Sequence, residues 1–114
     1  MLLKTVYEKA VMQGATISAV GCVTAFNQFT GYLLARYGDK LVCEPNSAYA
    51  DATTVDDDVP VRPSYETAYV DYIVGENTKN EARQADAVAK AEYAWRTEWR
   101  ASAKGKRIKK ERWL

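Results

Sequence analysis

Chemistry in this 114-residue chain is concentrated in two places. One is a run of three carboxylates, Asp56-Asp57-Asp58; the other is the C-terminal stretch Lys104-Gly105-Lys106-Arg107-Ile108-Lys109-Lys110-Glu111-Arg112-Trp113-Leu114. Carboxylate oxygens suit hard cations such as calcium or magnesium. The run lacks the alternating spacing and the turn glycine of a helix-loop-helix calcium loop, so it reads as a solvated acidic turn or an acidic patch for a neighbouring subunit. No metal site is expected. Cys22 and Cys43 are the two cysteines, and neither a CxxC motif nor any histidine accompanies them. They are expected as reduced thiols, with a single disulfide as the alternative. Without histidine, neither a Ser–His nor a Cys–His nucleophile can be built. The GxxxxGK[ST] phosphate loop and the GxGxxG turn are both missing. The chain is therefore not expected to be an enzyme or to carry a cofactor.

The basic stretch has three readings. It can be a solvated end. It can bind nucleic acid, because Lys and Arg neutralise phosphate and Trp can stack on a base. Or it can dock on a partner protein, and Ile108, Trp113 and Leu114 favour this last reading. A purely electrostatic arm has no use for apolar anchors, whereas a docking peptide needs them to fill pockets.

Net charge is only +1, but it is unevenly spread. Residues 39–58 carry six acids and one base, a net of −5, and residues 96–114 carry eight bases and two acids, a net of +6. Opposite charge on separated regions allows copies to associate head to tail, or the basic end to dock on something acidic. Eight Tyr and three Trp are a high load of amphipathic aromatics, which serve both cores and protein interfaces. Met1-Leu2-Leu3-Lys4 runs at once into charged residues and is not read as a signal peptide. No apolar run reaches the roughly 18 residues of a membrane span, so no membrane partner is expected.

These groups need a scaffold, and helical periodicity supplies one. Leu3, Val6, Tyr7, Ala10 and Val11 recur three and four apart, and Gln13-Gly14 can close that helix. Ser18 is a plausible N-cap for a second helix over residues 19–37, whose stripe is Cys22, Val23, Phe26, Phe29, Leu33 and Tyr37. Gly21 and Gly31 weaken this helix or allow close packing, and Gly38-Asp39 ends it. Leu41-Val42-Cys43 could form a short strand. Residues 39–62 are otherwise a long acidic loop, extended at its end because each residue before a proline is pushed out of the helical region.

Pro63 and Ser64 open a third helix, with Ser64 able to bond the free amides, and Tyr65, Tyr69, Tyr72 and Ile73 share one face. Gly75 and the polar residues after it weaken or end that helix. A fourth, alanine-rich helix lines one side with Ala82, Ala85, Val88 and Ala89, extended by Tyr93, Trp95 and Trp99, and Gly105 interrupts it. The last two helices are expected to pair antiparallel, tyrosines over alanines. The fold class is all-α: a small bundle of about four helices, with one long irregular acidic loop and an extended basic C-terminal tail. One of Trp95 and Trp99 is expected in the core and the other at an interface.

This arrangement resembles the head–tail connector (adaptor) proteins of tailed bacteriophages. Three features carry the likeness. The first is the short helix ending in glycine, Val6 to Gly14. The second is the run from Phe26-Asn27-Gln28-Phe29 through Leu33-Leu34-Ala35-Arg36-Tyr37. The third is the Pro-led segment Val61-Arg62-Pro63-Ser64-Tyr65-Glu66-Thr67-Ala68-Tyr69-Val70-Asp71-Tyr72, followed by the Ala-rich helix. The resemblance implies a structural virion protein. Residues 1–103 would be the connector domain and residues 104–114 a tail that docks on the portal through Lys104, Lys106, Arg107, Ile108, Lys109, Lys110, Arg112, Trp113 and Leu114. It implies a homo-oligomeric ring of about twelve copies in the virion neck, assembled in the host cytoplasm. Its partners would be the portal protein, the next neck or tail protein, and DNA passing non-specifically through the bore. Asp56, Asp57, Asp58, Trp95 and Trp99 are the subunit-interface candidates. A small nucleic-acid-binding regulator with a basic tail is the alternative.

Overall fold

A computed structural model of the protein describes the backbone of residues 1–111 and the side chains of residues 1–102. Helix ends fall where the sequence punctuates. The first helix, α1 (Leu3–Met12), closes on Gln13, and Gly14 turns the chain out at φ +103°, a conformation that costs glycine little. Leu3, Val6 and Ala10 are buried. Val11, expected on the same face, is exposed: it lies at the edge of the stripe, beyond the half-buried Tyr7. The second helix, α2 (Ala19–Tyr37), starts as expected, with Ser18 Oγ accepting the Gly21 N–H at 3.1 Å. Its Cys22, Phe26, Phe29 and Leu33 are buried, and Val23 and Tyr37 are partly so.

Residues 38–62 are irregular but tied down. The strand expected at Leu41-Val42-Cys43 is reduced to a single antiparallel bridge between Cys43 and Val61. Arg62 N–H donates to Val42 O and Glu44 N–H to Pro60 O, both at 2.9 Å. Pro60 and Pro63 have no N–H to donate, so this pairing cannot grow into a ladder. Val42, Ala52, Val59 and Val61 are buried in the core. The Asn27 amide holds the loop to α2: its Nδ2 donates to Ala52 O at 2.9 Å and its Oδ1 accepts the Ala52 N–H at 3.0 Å.

Pro63–Tyr65 form a 3₁₀ turn that leads into the third helix, α3 (Glu66–Thr78). Ser64 does not bond free amides at this start; its hydroxyl donates across the molecule to Glu98 Oε1 at 3.0 Å. Gly75 does not stop α3, which ends at Lys79 in the left-handed region. The fourth helix, α4 (Glu81–Glu111), begins with Asn80 Oδ1 accepting the Arg83 N–H at 3.2 Å. Its backbone stays helical through Gly105, where an interruption was expected. One glycine costs about 1 kcal/mol, and the Lys, Arg and Ala around it are good helix formers.

The third helix is central. It packs against α4 on one side and against α1 and α2 on the other, giving an all-α bundle of four helices. Tyr65, Tyr69 and Ile73 are buried, and Tyr72 is half-buried. The tyrosines do not lie over the alanines of α4, however. Tyr69 stacks on Phe26 with ring centroids 4.3 Å apart and meets Phe29 edge-on at 5.0 Å, while Tyr72 stacks on Phe29 at 4.6 Å. Their partners are therefore the phenylalanines of α2. Thr30 Oγ1 gives its proton to Phe26 O at 2.9 Å, so Tyr69 is the donor in the 2.7 Å contact between the two hydroxyls.

On α4 the buried stripe is Ala87, Ala91 and Ala94, and the expected Ala82, Ala85, Val88 and Ala89 are exposed. Alanine occurs on nearly every side of α4, so its pattern does not set the rotation. Two contacts with α3 do. The Asp71 carboxylate, largely buried, takes ion pairs from Arg83 and Lys90. Gly75 sits hard against Gln84, with its carbonyl accepting Gln84 Nε2 at 3.2 Å. Among the described residues, every buried side-chain nitrogen or oxygen has a hydrogen-bond partner.

Two sets of measurements check this packing. A Cβ on Gly75 would lie 2.9 Å from Gln84 N and Cγ and 3.2 Å from Asn80 O, whereas one on Gly31 would meet nothing within 4 Å. Urea unfolding is expected to show Gly75→Ala destabilised by about 1–3 kcal/mol. Gly31→Ala is expected to gain about 0.5–1 kcal/mol. Burial also raises the Tyr65 and Tyr69 phenols well above their ordinary range and pushes Tyr49 up to about 12, with its hydrogen bond to Asp51 adding to the rise. Unfolded tyrosine ionises near pH 10, so the stability from these neutral phenols is complete below about pH 10 and is lost as pH climbs towards the folded values. The urea midpoint is expected to fall progressively above about pH 10.

Candidate functional site

The end of α2 meets α4 at a pair of stacked rings. Tyr37 and Trp95 lie with centroids 5.2 Å apart and planes at 21°. The Arg36 guanidinium stands 5.6 Å from the Tyr37 ring centroid. Facing them, Arg62 is placed by the extended chain between Pro60 and Pro63, and its guanidinium ties three segments together. Its Nη1 donates to Glu98 Oε2 at 2.9 Å, its Nε to Cys43 O at 2.8 Å and its Nη2 to Lys40 O at 2.8 Å. With Ser64 on the other oxygen, the Glu98 carboxylate is fully engaged. Between the stacked rings and this ion pair opens a cleft of about 680 Å³, also lined by Lys40, Leu41 and Trp99. Trp99 is 52% exposed at its lip.

The cleft is aromatic inside and basic around. Lys40 lines it and Arg36 stands over its Tyr37 ring, both exposed; the exposed Arg96 and Arg100 follow Trp95 and Trp99 in the chain, and the exposed Asp39 precedes Lys40. Its own acid, Glu98, is neutralised by Arg62, and Arg96 meets Glu92 at 3.3 Å. Aromatic residues and arginine are the types enriched where protein surfaces meet. Beyond Glu98 the α4 backbone runs on to Glu111, a further length of about 20 Å at 1.5 Å per residue.

The structure brings together two of the residues singled out from sequence, Trp95 inside the cleft and Trp99 at its edge. It sets the acidic run elsewhere, against the chain's first residues and the start of α1. Asp57 closes a turn. Its Oδ2 accepts the Thr53 and Thr54 N–H groups at 2.7 and 3.1 Å and the Thr53 hydroxyl at 3.1 Å, and its Oδ1 accepts the Thr54 hydroxyl at 3.2 Å. The Thr53 and Thr54 amides hold its carboxyl below the ordinary range. Asp58 accepts from the Met1 ammonium at 3.1 Å. Asp56 is exposed, and its carboxylate forms no ion pair among the described residues. Among those residues no group of His, Cys, Asp and Glu could hold a metal ion. Cys22 and Cys43 are free and buried, and burial pushes the Cys22 thiol up to about 11.

The side chains of Lys104, Lys106, Arg107, Ile108, Lys109 and Lys110, and Arg112, Trp113 and Leu114 altogether, lie outside the described residues. Reading the sequence missed Lys40, Arg62 and Glu98 as site residues. Arg62 and Glu98 are 36 positions apart, and no local spacing announces their pairing. The one available signal was a lone arginine in an extended run between prolines.

No protein-family model, no curated protein and no solved structure matches this chain. No helix among the described residues is long and apolar enough to cross a membrane.

The Arg62–Glu98 pair makes a direct test of how the cleft is held. Both side chains are about four-fifths buried, so removing the carboxylate leaves a nearly buried cation without its counter-charge. Glu98→Ala is expected to cost about 1–3 kcal/mol in urea unfolding, and Glu98→Gln, which keeps the shape and one hydrogen bond, less than that.

Proposed function

We propose that this chain is a structural virion protein, a head-to-tail connector subunit of a tailed bacteriophage. Copies would form a ring below the portal, dock on the portal through the C-terminal segment, and link capsid to tail while DNA passes through the bore. The reading rests first on the family resemblance of the three sequence features given above. The observation that carries it furthest is the path of α4, whose inner half is packed into the bundle while its basic outer part continues past Glu98 to Glu111. A helix anchored at one end can carry its further length to a larger assembly without unfolding the body that holds it. In a ring, many modest contacts act together, so each arm can bind weakly while the assembly holds.

Deleting residues 104–114 tests the docking role. The full chain is expected to co-sediment with portal-bearing particles and the shortened chain to stay in the supernatant. Retention of the shortened chain would show the docking assignment to be wrong. Salt separates this reading from a nucleic-acid-binding regulator. Docking through buried apolar anchors should lose little between low and moderate salt, whereas binding to DNA would fall steeply.

A further inference from the structure

We infer that copies of this protein associate head to tail, with the acidic segment 51–58 of one copy seated against the basic-rimmed aromatic cleft of the next. The inference rests on the ring-forming part of the proposed function and names the two surfaces that would meet. The segment carries Asp51, Asp56, Asp57 and Asp58 and no base; Asp58 meets the Met1 ammonium, so Asp51, Asp56 and Asp57 are the acids that form no ion pair among the described residues. Lys40 lines the cleft beside Tyr37 and Trp99, Arg36 stands over the Tyr37 ring, and the one carboxylate in the lining is already spent on Arg62, with Asp39 the exposed acid next to Lys40. Charge on the two surfaces is therefore complementary, which steers encounter and fixes orientation.

Within one chain the two surfaces stay apart. Segment 51–58 is bound to α2 through Asn27 and Ala52, and to the start of α1 through the Leu3 N–H to Asp57 O bond at 3.2 Å and the Leu2–Asp58 bridge. The cleft lies towards the C-terminal end of α2, where Tyr37 meets Trp95 of α4, ten residues and about 15 Å along that helix from Asn27. Pairing must then run between copies, and because the two surfaces differ, the contact is heterologous. Such a contact repeats from copy to copy and closes into a ring when its rotation allows. The segment is also prepared for the role, since the Asp57 carboxylate locks its turn and little ordering is left for binding to pay. Trp99, half exposed at the lip, supplies the apolar contact, and the part of Val55 left uncovered by its packing on the core, beside Asp56, is the apolar surface the segment offers in return.

Sedimentation velocity on the full chain, over a range of concentrations at low and high salt, tests this. The wild-type chain is expected to form oligomers at low salt that dissociate as salt rises. Asp51→Lys with Asp56→Lys takes the segment from a net of −4 to 0, and Arg36→Glu with Lys40→Glu reverses two cations beside the cleft, so each variant removes the attraction from one side. Each variant alone is expected to be monomeric, and an equal mixture of the two to associate again, because the unchanged segment of one variant meets the unchanged cleft of the other. Circular dichroism checks that each stays helical. Should either misfold, the milder Asp56→Asn and Trp99→Ala are expected to weaken self-association about tenfold or more. A wild-type chain that stays monomeric at every concentration would overturn the inference. So would wild-type oligomers that ignore the charge reversals, but that outcome leaves ring formation and portal docking standing. Loss of portal retention in variants that still form oligomers would count against the docking reading alone.

Discussion

The whole bundle depends on α3 being held in one rotation, and two contacts of opposite character hold it. On one side Tyr69 packs against Phe26 and Phe29 of α2, with its hydroxyl donating a hydrogen bond to Thr30 Oγ1. On the other side Asp71 brings a largely buried carboxylate between Arg83 and Lys90 of α4. The first contact fills space with apolar area and satisfies the one polar atom it buries. The second is costly unless both cations are in place, because a half-paired carboxylate at that depth would keep its desolvation penalty and lose its compensation. Together they allow α3 to serve two neighbours without sliding towards either.

That constraint reaches the cleft. Once α4 is fixed by Asp71 and by the close approach of Gly75 to Gln84, Trp95 lies against Tyr37 and Glu98 lies against Arg62. Arg62 in turn is presented by a chain that prolines keep extended, and its remaining donors tie down the backbone at Lys40 and Cys43. The irregular loop is therefore a structural member of the bundle. It contributes Val42, Ala52, Val59 and Val61 to the core and carries its exposed acids on a framework of backbone hydrogen bonds.

Much of this was legible in the residues. The ends of α1 and α2, the Ser18 cap, the buried stripe of α2 and the buried face of Tyr65, Tyr69 and Ile73 follow from spacing, because large apolar residues three and four apart leave a helix one face to bury. The antiparallel pairing of α3 and α4 follows from the short polar turn between them. The buried side of α4 did not follow. Alanine adds too little area per residue to choose one face when it occurs on several, and the choice fell to an ion pair and a glycine contact made by another helix. The Ser64 cap was misread for a related reason: a hydroxyl near free amides has a local option, and here Glu98 offered a partner from across the fold.

Local order thus decided which stretches are helical, where they stop, and that large aromatics must be covered. Those outcomes depend on neighbours within one or two turns, and the order of residues states such neighbours outright. Tertiary structure alone decided which aromatic covers which, which way α4 is turned, and that Arg62, Glu98, Lys40 and two tryptophans share one cleft. Each of these depends on residues dozens of positions apart, whose meeting is fixed only when every helix has found a rotation that suits all its neighbours at once.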